Sequence, residues 1–127
     1  TGITATGEST TQISIEALAK ALGAGLVEVV DPYDLDKTIE TFNKAKNFPG
    51  LSVIIAKQPC VIKAKKSGVK RRVFTASDDC EGCKLCIQFG CPAIEFEKEL
   101  AKINSLCTGC GICAQICPNS AIKEVTS

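Results

Sequence analysis

Eight of the nine cysteines in this chain of 127 residues fall into two similar runs. Each run has three cysteines in C-x-x-C-x-x-C spacing, then a fourth cysteine that a proline follows directly. The first run is Cys80, Cys83, Cys86 and Cys91, and the second is Cys107, Cys110, Cys113 and Cys117. Three thiolates on a tight loop can bind three iron corners of a cubane cluster, and a fourth thiolate must come from elsewhere. The runs therefore predict two 4Fe-4S clusters, whose chemistry is electron transfer.

The two runs resemble the ligand pattern of bacterial-type two-cluster ferredoxins. In those proteins the fourth cysteine of each run binds the cluster of the other run. The resemblance implies two sets of ligands: Cys80, Cys83, Cys86 and Cys117 for one cluster, and Cys107, Cys110, Cys113 and Cys91 for the other. The first run departs from the simplest spacing because it has one more residue, Gly90, before its last cysteine. We expect the chain to bulge there, since glycine tolerates the necessary backbone.

Disulfides and zinc are the alternative uses of these cysteines. Nine is an odd number, and neighbouring C-x-x-C thiols are poor disulfide partners. Two four-cysteine zinc sites would also use eight thiolates, although zinc sites usually pair two C-x-x-C units across a longer gap. The chain has no histidine, which excludes Rieske clusters and zinc sites with imidazole ligands. Cys60 lies outside both runs, and we expect it to be a small buried residue at the end of a strand.

The net charge of +1 hides an uneven distribution of charged residues. Residues 57–72 contain seven basic residues and no acidic one, whereas each flank has seven acidic and four basic residues. We interpret residues 63–77 as a basic linker; the alternative is a surface that attracts an acidic ferredoxin or the phosphates of coenzyme A. No aromatic platform accompanies the charge, so nucleic-acid binding is not expected. No stretch approaches the roughly 18 apolar residues of a membrane span, and no secretory signal is recognisable, which predicts a cytoplasmic protein without a membrane partner.

The residues before the basic segment alternate between helix and strand patterns. They predict a helix after Ser14, a strand over residues 26–30, a helix after Asp34 and a strand over residues 51–56. A right-handed crossover between two parallel strands is the natural arrangement. Two strands and two helices cannot cover both faces of a parallel sheet. We therefore expect residues 1–62 to be the edge of a larger α/β domain, with further strands before Thr1.

The residues after the basic segment, 78–127, predict a small α+β domain built around the cysteines. Its apolar residues are few for a domain of this size, so the clusters would serve as the hub of its core. Residues 93–96 and 121–125 alternate between hydrophobic and charged positions. The alternation predicts that these two segments pair as a small antiparallel ribbon.

Three features together resemble the C-terminal end of the α subunit of indolepyruvate:ferredoxin oxidoreductase, a 2-oxoacid:ferredoxin oxidoreductase. They are residues 29–35 (VVDPYDL), residues 52–60 (SVIIAKQPC) and the doubled cysteine run with its extra residue. The resemblance covers essentially the whole chain. It implies that residues 1–62 end a thiamine diphosphate-binding domain and that residues 78–127 are a two-cluster ferredoxin domain.

The same resemblance implies a function within a larger enzyme. Thiamine diphosphate with Mg would decarboxylate an arylpyruvate, the acyl group would pass to coenzyme A, and the clusters would pass electrons to an external ferredoxin. The implied partners are the remainder of the α subunit, a β subunit, ferredoxin and coenzyme A. The family's Gly-Asp-Gly thiamine signature is absent from this chain. We therefore predict no catalytic residue and no catalysis by this chain alone; the alternative is a free-standing ferredoxin-like electron carrier with an α/β appendage.

Overall fold

The computed structural model describes residues 2–125. The chain divides into two compact units, Thr1–Gln58 and Pro59–Ser127. Within the described residues, none of the helices has both the length and the apolar character that crossing a membrane requires. The two units have different architectures and are described separately.

In its described part, residues 2–58, the first unit contains two helices and two strands in alternation. They are α1 (Ile15–Ala21), β1 (Leu26–Val30), α2 (Leu35–Asn47) and β2 (Ser52–Ala56). The strands pair in parallel, with a register that runs from Leu26 opposite Ser52 to Val30 opposite Ala56. The order of the elements and the parallel pairing confirm the predictions from the sequence.

Both helices of the first unit begin at side-chain caps, as the sequence predicts. Ser14 Oγ accepts a hydrogen bond from the backbone N–H of Ala17 at 3.1 Å. Asp34 Oδ1 accepts one from the backbone N–H of Lys37 at 3.2 Å. Each bond satisfies a donor that the first turn of a helix would otherwise leave unpaired.

The apolar positions of the first unit remain largely in water. Ala19 and Val30 are its buried hydrophobic residues within the described part of the chain. Leu18, Ile39 and Phe42 are each more than half exposed. Two strands and two helices bury little apolar surface, because each face of the sheet has too few elements to cover it.

The second unit contains three short helices and four strands within the described residues. They are α3 (Val61–Lys66), β3 (Val73–Ala76), α4 (Leu85–Gln88), β4 (Ile94–Glu97), β5 (Leu100–Ile103), α5 (Ile112–Ile116) and β6 (Ile122–Val125). The strands form two antiparallel pairs, β3 with β6 and β4 with β5. A single buried group links both pairs to the cysteines: Phe74, Cys86, Ile94, Ala101, Cys113 and Ile122.

The predicted ribbon between residues 93–96 and 121–125 is wrong in its pairing. Both segments form strands, but β4 pairs with β5, the strand that follows it. Lys98 and Glu99 have φ angles of 50° and 67°, the left-handed conformation that a tight hairpin turn requires. Because the turn is so short, it holds β4 beside β5. The strand β6 pairs with β3 instead.

The structure also differs from the predicted linker over residues 63–77. The division between the units lies after Gln58; β3 and the last four residues of α3 lie within the expected linker. The segment Val73–Ala76 is short and follows a run of basic residues, so its strand character is weak in the sequence. Pairing with β6 supplies the backbone hydrogen bonds that stabilise it.

Candidate metal centre

One pocket of the second unit brings together the first three cysteines and the last one. Cys80, Cys83, Cys86 and Cys117 all line it. The remainder of its wall includes apolar side chains from β4, β5 and β6: Phe96, Ala101 and Ile122. Cys117 thus lies with the triplet of the other run, as the resemblance to two-cluster ferredoxins implies. The donors gathered here are four thiols in a largely apolar wall.

The other four cysteines also lie near one another. Burial, followed by the neighbouring thiols of Cys110, Cys107 and Cys91, raises the pKa of Cys113 to about 11. Cys91 belongs to the first run, yet it acts electrostatically on Cys113 and packs against the buried group that contains Cys113. Among residues 2–125, no three His, Cys, Asp or Glu side chains form a group that could hold a single metal ion.

The third cysteine of each triplet is the buried one. Cys86 lies on α4 and is 7% exposed, and Cys113 lies on α5 and is 8% exposed. Burial is the main reason that the pKa of Cys86 is raised, and the thiols of Cys80 and Cys83 also raise it. A thiol in this environment becomes a thiolate readily when it binds a metal, because the metal supplies the compensating positive charge.

A glycine in each triplet gives the two loops their shape. Gly82 and Gly109 precede the second cysteine of their runs and have φ angles of 68° and 80°. A Cβ atom on Gly82 would lie 2.8 Å from the carbonyl oxygen of Glu99, and one on Gly109 would lie 2.5 Å from that of Arg72. Each loop therefore needs glycine for both conformation and space. The shared C-x-G-C pattern is the sequence signal that would have identified these positions.

Two backbone N–H groups point at cysteine sulfurs of the first pocket. Ala101 in β5 donates to Cys80 Sγ with an N···S distance of 3.5 Å. Ala121, just before β6, donates to Cys117 Sγ at 3.3 Å. Such bonds stabilise negative charge on sulfur and are a known means of setting the potential of a cluster. The strand pairs thus contribute directly to the environment of the thiols.

Cys60 is exposed, so the prediction of a buried residue is wrong. It lies between β2 and α3, at the N-terminal boundary of that helix. The backbone N–H groups of Lys63 and Ile62 lower the pKa of its thiol. The chain has already left the strand at this point, which is why the expected burial does not occur.

Replacing Cys60 with alanine is expected to leave the metal content of the chain unchanged, because this thiol lies in neither group of four. Iron analysis of the Cys60→Ala chain beside the unmodified chain checks this. The same substitution should abolish rapid alkylation of the loaded protein by iodoacetamide, since an exposed thiol of lowered pKa is the reactive one. A fall in iron would contradict the prediction and assign Cys60 to a metal site.

Comparison with known proteins agrees with the chemistry of these donors. Residues 101–123 match the family model of the 4Fe-4S binding domain. The chain is 45% identical over 123 residues to the indolepyruvate oxidoreductase subunit IorA of Pyrococcus abyssi, covering 90% of this chain and 19% of that protein. It is 39% identical over 132 residues to IorA of Archaeoglobus fulgidus, covering 100% of this chain and 21% of that protein. The chain spans about a fifth of the length of these relatives.

A shorter relative matches part of the chain. Pyruvate synthase subunit PorD of Methanothermobacter marburgensis is 41% identical over 69 residues, which cover 53% of this chain and 84% of PorD. No solved structure matches the chain significantly. The resemblance to the indolepyruvate:ferredoxin oxidoreductase family is confirmed by these relatives. The chain belongs to the IorA family of oxidoreductase subunits and carries a ferredoxin-type 4Fe-4S binding domain.

Proposed function

We propose that this chain is the electron-transfer part of a 2-oxoacid:ferredoxin oxidoreductase and that it holds two 4Fe-4S clusters. The observation that carries the proposal is the position of Cys117, which lines the pocket of the first triplet. Cys91 contributes to the raised pKa of Cys113 in the second triplet, which supports the matching exchange of the other fourth cysteine. Each cubane needs four thiolates, and the exchange provides two sets of four.

These positions support two ligand sets. Cys80, Cys83, Cys86 and Cys117 would hold one cluster, and Cys107, Cys110, Cys113 and Cys91 the other. Bound clusters would supply one-electron steps. The protein contributes burial of Cys86 and Cys113 in one core, which limits the access of water to both sites. It also contributes the N–H groups of Ala101 and Ala121, which stabilise negative charge at the first site.

The reaction of the complete enzyme is part of the proposal. The names of the IorA relatives point to indolepyruvate, so we infer oxidative decarboxylation of an arylpyruvate to an acyl-coenzyme A, with electrons leaving to an external ferredoxin. Thiamine diphosphate and Mg would be bound mainly outside this chain, because the Gly-Asp-Gly signature is absent from it. The partners would be the rest of the α subunit and a β subunit.

Two further observations support this placement in a larger enzyme. The exposed apolar residues of the first unit, including Ile39 and Phe42, suit the edge of a larger α/β domain that would bind the thiamine cofactor. None of the nine cysteines forms a disulfide, which suits a reducing cytoplasm.

The alternative, a free-standing ferredoxin-like carrier with an α/β appendage, is favoured by one observation. Most of PorD aligns with only about half of this chain, so a subunit related to one half of it can exist separately.

Metal analysis of the anaerobically purified chain tests the clusters. We expect about eight irons and an equal amount of sulfide per chain, and a reduced EPR spectrum with two interacting spins. Stoichiometric zinc without an EPR signal would contradict the proposal and favour two four-cysteine zinc sites.

To test the enzyme, indolepyruvate and coenzyme A are added to the assembled oxidoreductase and to this chain alone. The cluster absorbance should bleach only in the assembled enzyme; bleaching in the isolated chain would contradict the assignment of catalysis to other segments.

A further inference from the structure

Two arginines at the end of the basic segment lie on the second cysteine loop. Arg71 Nη1 donates to the carbonyl oxygen of Cys107 at 2.8 Å. Arg72 Nε donates to the carbonyl oxygen of Gly109 at 3.2 Å, and Arg72 Nη2 to that of Cys110 at 2.9 Å. Two guanidinium groups therefore bind the main chain of the residues that carry two thiols of this site. The prediction of a basic linker over residues 63–77 does not include these hydrogen bonds.

Arg72 and the loop fit each other closely. Its guanidinium lies 5.5 Å from the centre of the Phe74 ring, and a Cβ atom on Gly111 would lie 3.2 Å from Arg72 Nη2. The carbonyl oxygen of Arg72 occupies the space that a side chain on Gly109 would need. Glu124 Oε2 is 4.0 Å from Arg72 Nη1, a half-exposed pair that contributes little by itself. The glycines thus leave room for both the backbone and the side chain of Arg72.

Different residues contact the first cysteine loop. The carbonyl oxygen of Glu99, in the turn between β4 and β5, lies against Gly82. Lys84 takes the position that Gly111 has in the second run, and its Nζ lies 5.8 Å from the centre of the Phe96 ring. Within the described residues, no guanidinium group donates to the carbonyls of this loop. Both cysteine loops therefore contain this glycine and have an aromatic ring nearby. They differ because, among the described residues, guanidinium groups bind the carbonyls of the second loop only.

We propose that Arg72, assisted by Arg71, is a positioning residue for the second cluster and raises the reduction potential of that cluster. The inference rests on the proposed function, since it requires a cluster on Cys107, Cys110 and Cys113. Arg72 acts through the main chain: two N–H donors on one rigid plane hold two successive carbonyls of the loop. Reduction adds negative charge to the cluster, and a permanently charged guanidinium beside it favours the reduced form.

The test compares four loaded chains: unmodified, Arg72→Gln, Arg72→Lys and Lys70→Gln. Lys70 is the matched control, because it is a neighbouring positive charge with no hydrogen bond or ion pair in the part of the chain that the structure describes. Both cluster potentials are measured by EPR-monitored redox titration, and the release of iron to a chelator is followed over time. We expect Arg72→Gln to lower one of the two potentials and to speed the loss of half of the iron about tenfold. Lys70→Gln should change neither quantity.

The lysine variant separates charge from geometry. Arg72→Lys keeps the charge but cannot donate to two carbonyls from one plane. The reduction potential of the second cluster should therefore lie closer to the unmodified value, whereas the loss of iron should stay fast. If Arg72→Gln does not load the second site but Lys70→Gln does, the positioning role is supported. Equal effects of Arg72→Gln and Lys70→Gln would overturn the inference and leave the proposed function intact. An unmodified chain without two clusters would overturn both.

Discussion

Replacing Cys117 with alanine is expected to remove the cluster that the first triplet binds, not that of its own run. Cys117 lines the pocket of Cys80, Cys83 and Cys86, and its sulfur accepts a hydrogen bond from Ala121 there. With the proposed ligand sets, its loss would leave one corner of that cubane without a protein thiolate. Intact 4Fe-4S content should fall from about two clusters per chain to about one, measured by spin quantitation of the reduced protein and by iron analysis.

Double variants show which thiols share a cluster. If Cys86 and Cys117 serve the same cluster, Cys86→Ala with Cys117→Ala should lose no more than either single variant, because the effects of residues that act as one unit are not additive. Cys113→Ala with Cys117→Ala should lose both clusters. The matched residues Cys86 and Cys113 are both buried, so the two double variants disturb the core to a similar degree. The opposite pattern would mean that each run binds its own cluster and would contradict the exchange of the fourth cysteine.

Replacing Gly109 with alanine is expected to prevent loading of the second site. The new Cβ would lie 2.5 Å from the carbonyl oxygen of Arg72 and 3.0 Å from its backbone nitrogen, and backbone atoms cannot rotate away as a long side chain can. A φ of 80° adds roughly 1–2 kcal/mol for a residue with a Cβ atom. The overpacking adds about 1–3 kcal/mol. The measurements are cluster content after reconstitution and the denaturant concentration at which half of the cluster absorbance is lost.

Gly90 provides the matched control for this substitution. It also has a φ of 80°, but a Cβ atom there would meet nothing within 4 Å. Gly90→Ala should therefore carry the conformational cost of roughly 1–2 kcal/mol without the collision, and both sites should still load. The comparison isolates the contact between the loop and Arg72. Equal loss of loading in both variants would show that backbone conformation alone, and not that contact, limits the second site.

Much of the local structure follows from neighbouring residues. Ser14 and Asp34 begin helices because their side chains satisfy a backbone donor three residues ahead. The apolar segments at Leu26–Val30 and Ser52–Ala56 form the predicted parallel pair. These features depend on interactions over a few residues or on one short crossover. The family resemblance also rests on the order of residue types along the chain.

The partners of the small strands did not follow from the sequence. The alternation in Ile94–Glu97 and Ile122–Val125 predicts strands but does not say which strand each one pairs with. A tight turn places β4 beside β5, so these two strands pair. The strand β6 pairs with Val73–Ala76, which lies in the segment that the sequence predicts to be a linker. The exposure of Cys60 was missed for a related reason, since burial depends on what packs against a residue.

The sequence by itself determined the donors of this chain, eight thiols in two similarly spaced runs, and the family to which the chain belongs. Ligand spacing within a triplet is a local property of a loop, so it can be read directly from the residues. The tertiary structure decided which neighbours surround each triplet. It brought Cys117 to the first triplet and the arginines at 71 and 72 to the second loop. Contacts of this kind join residues far apart in the chain, and they form only when the strands β3 to β6 pack around one core.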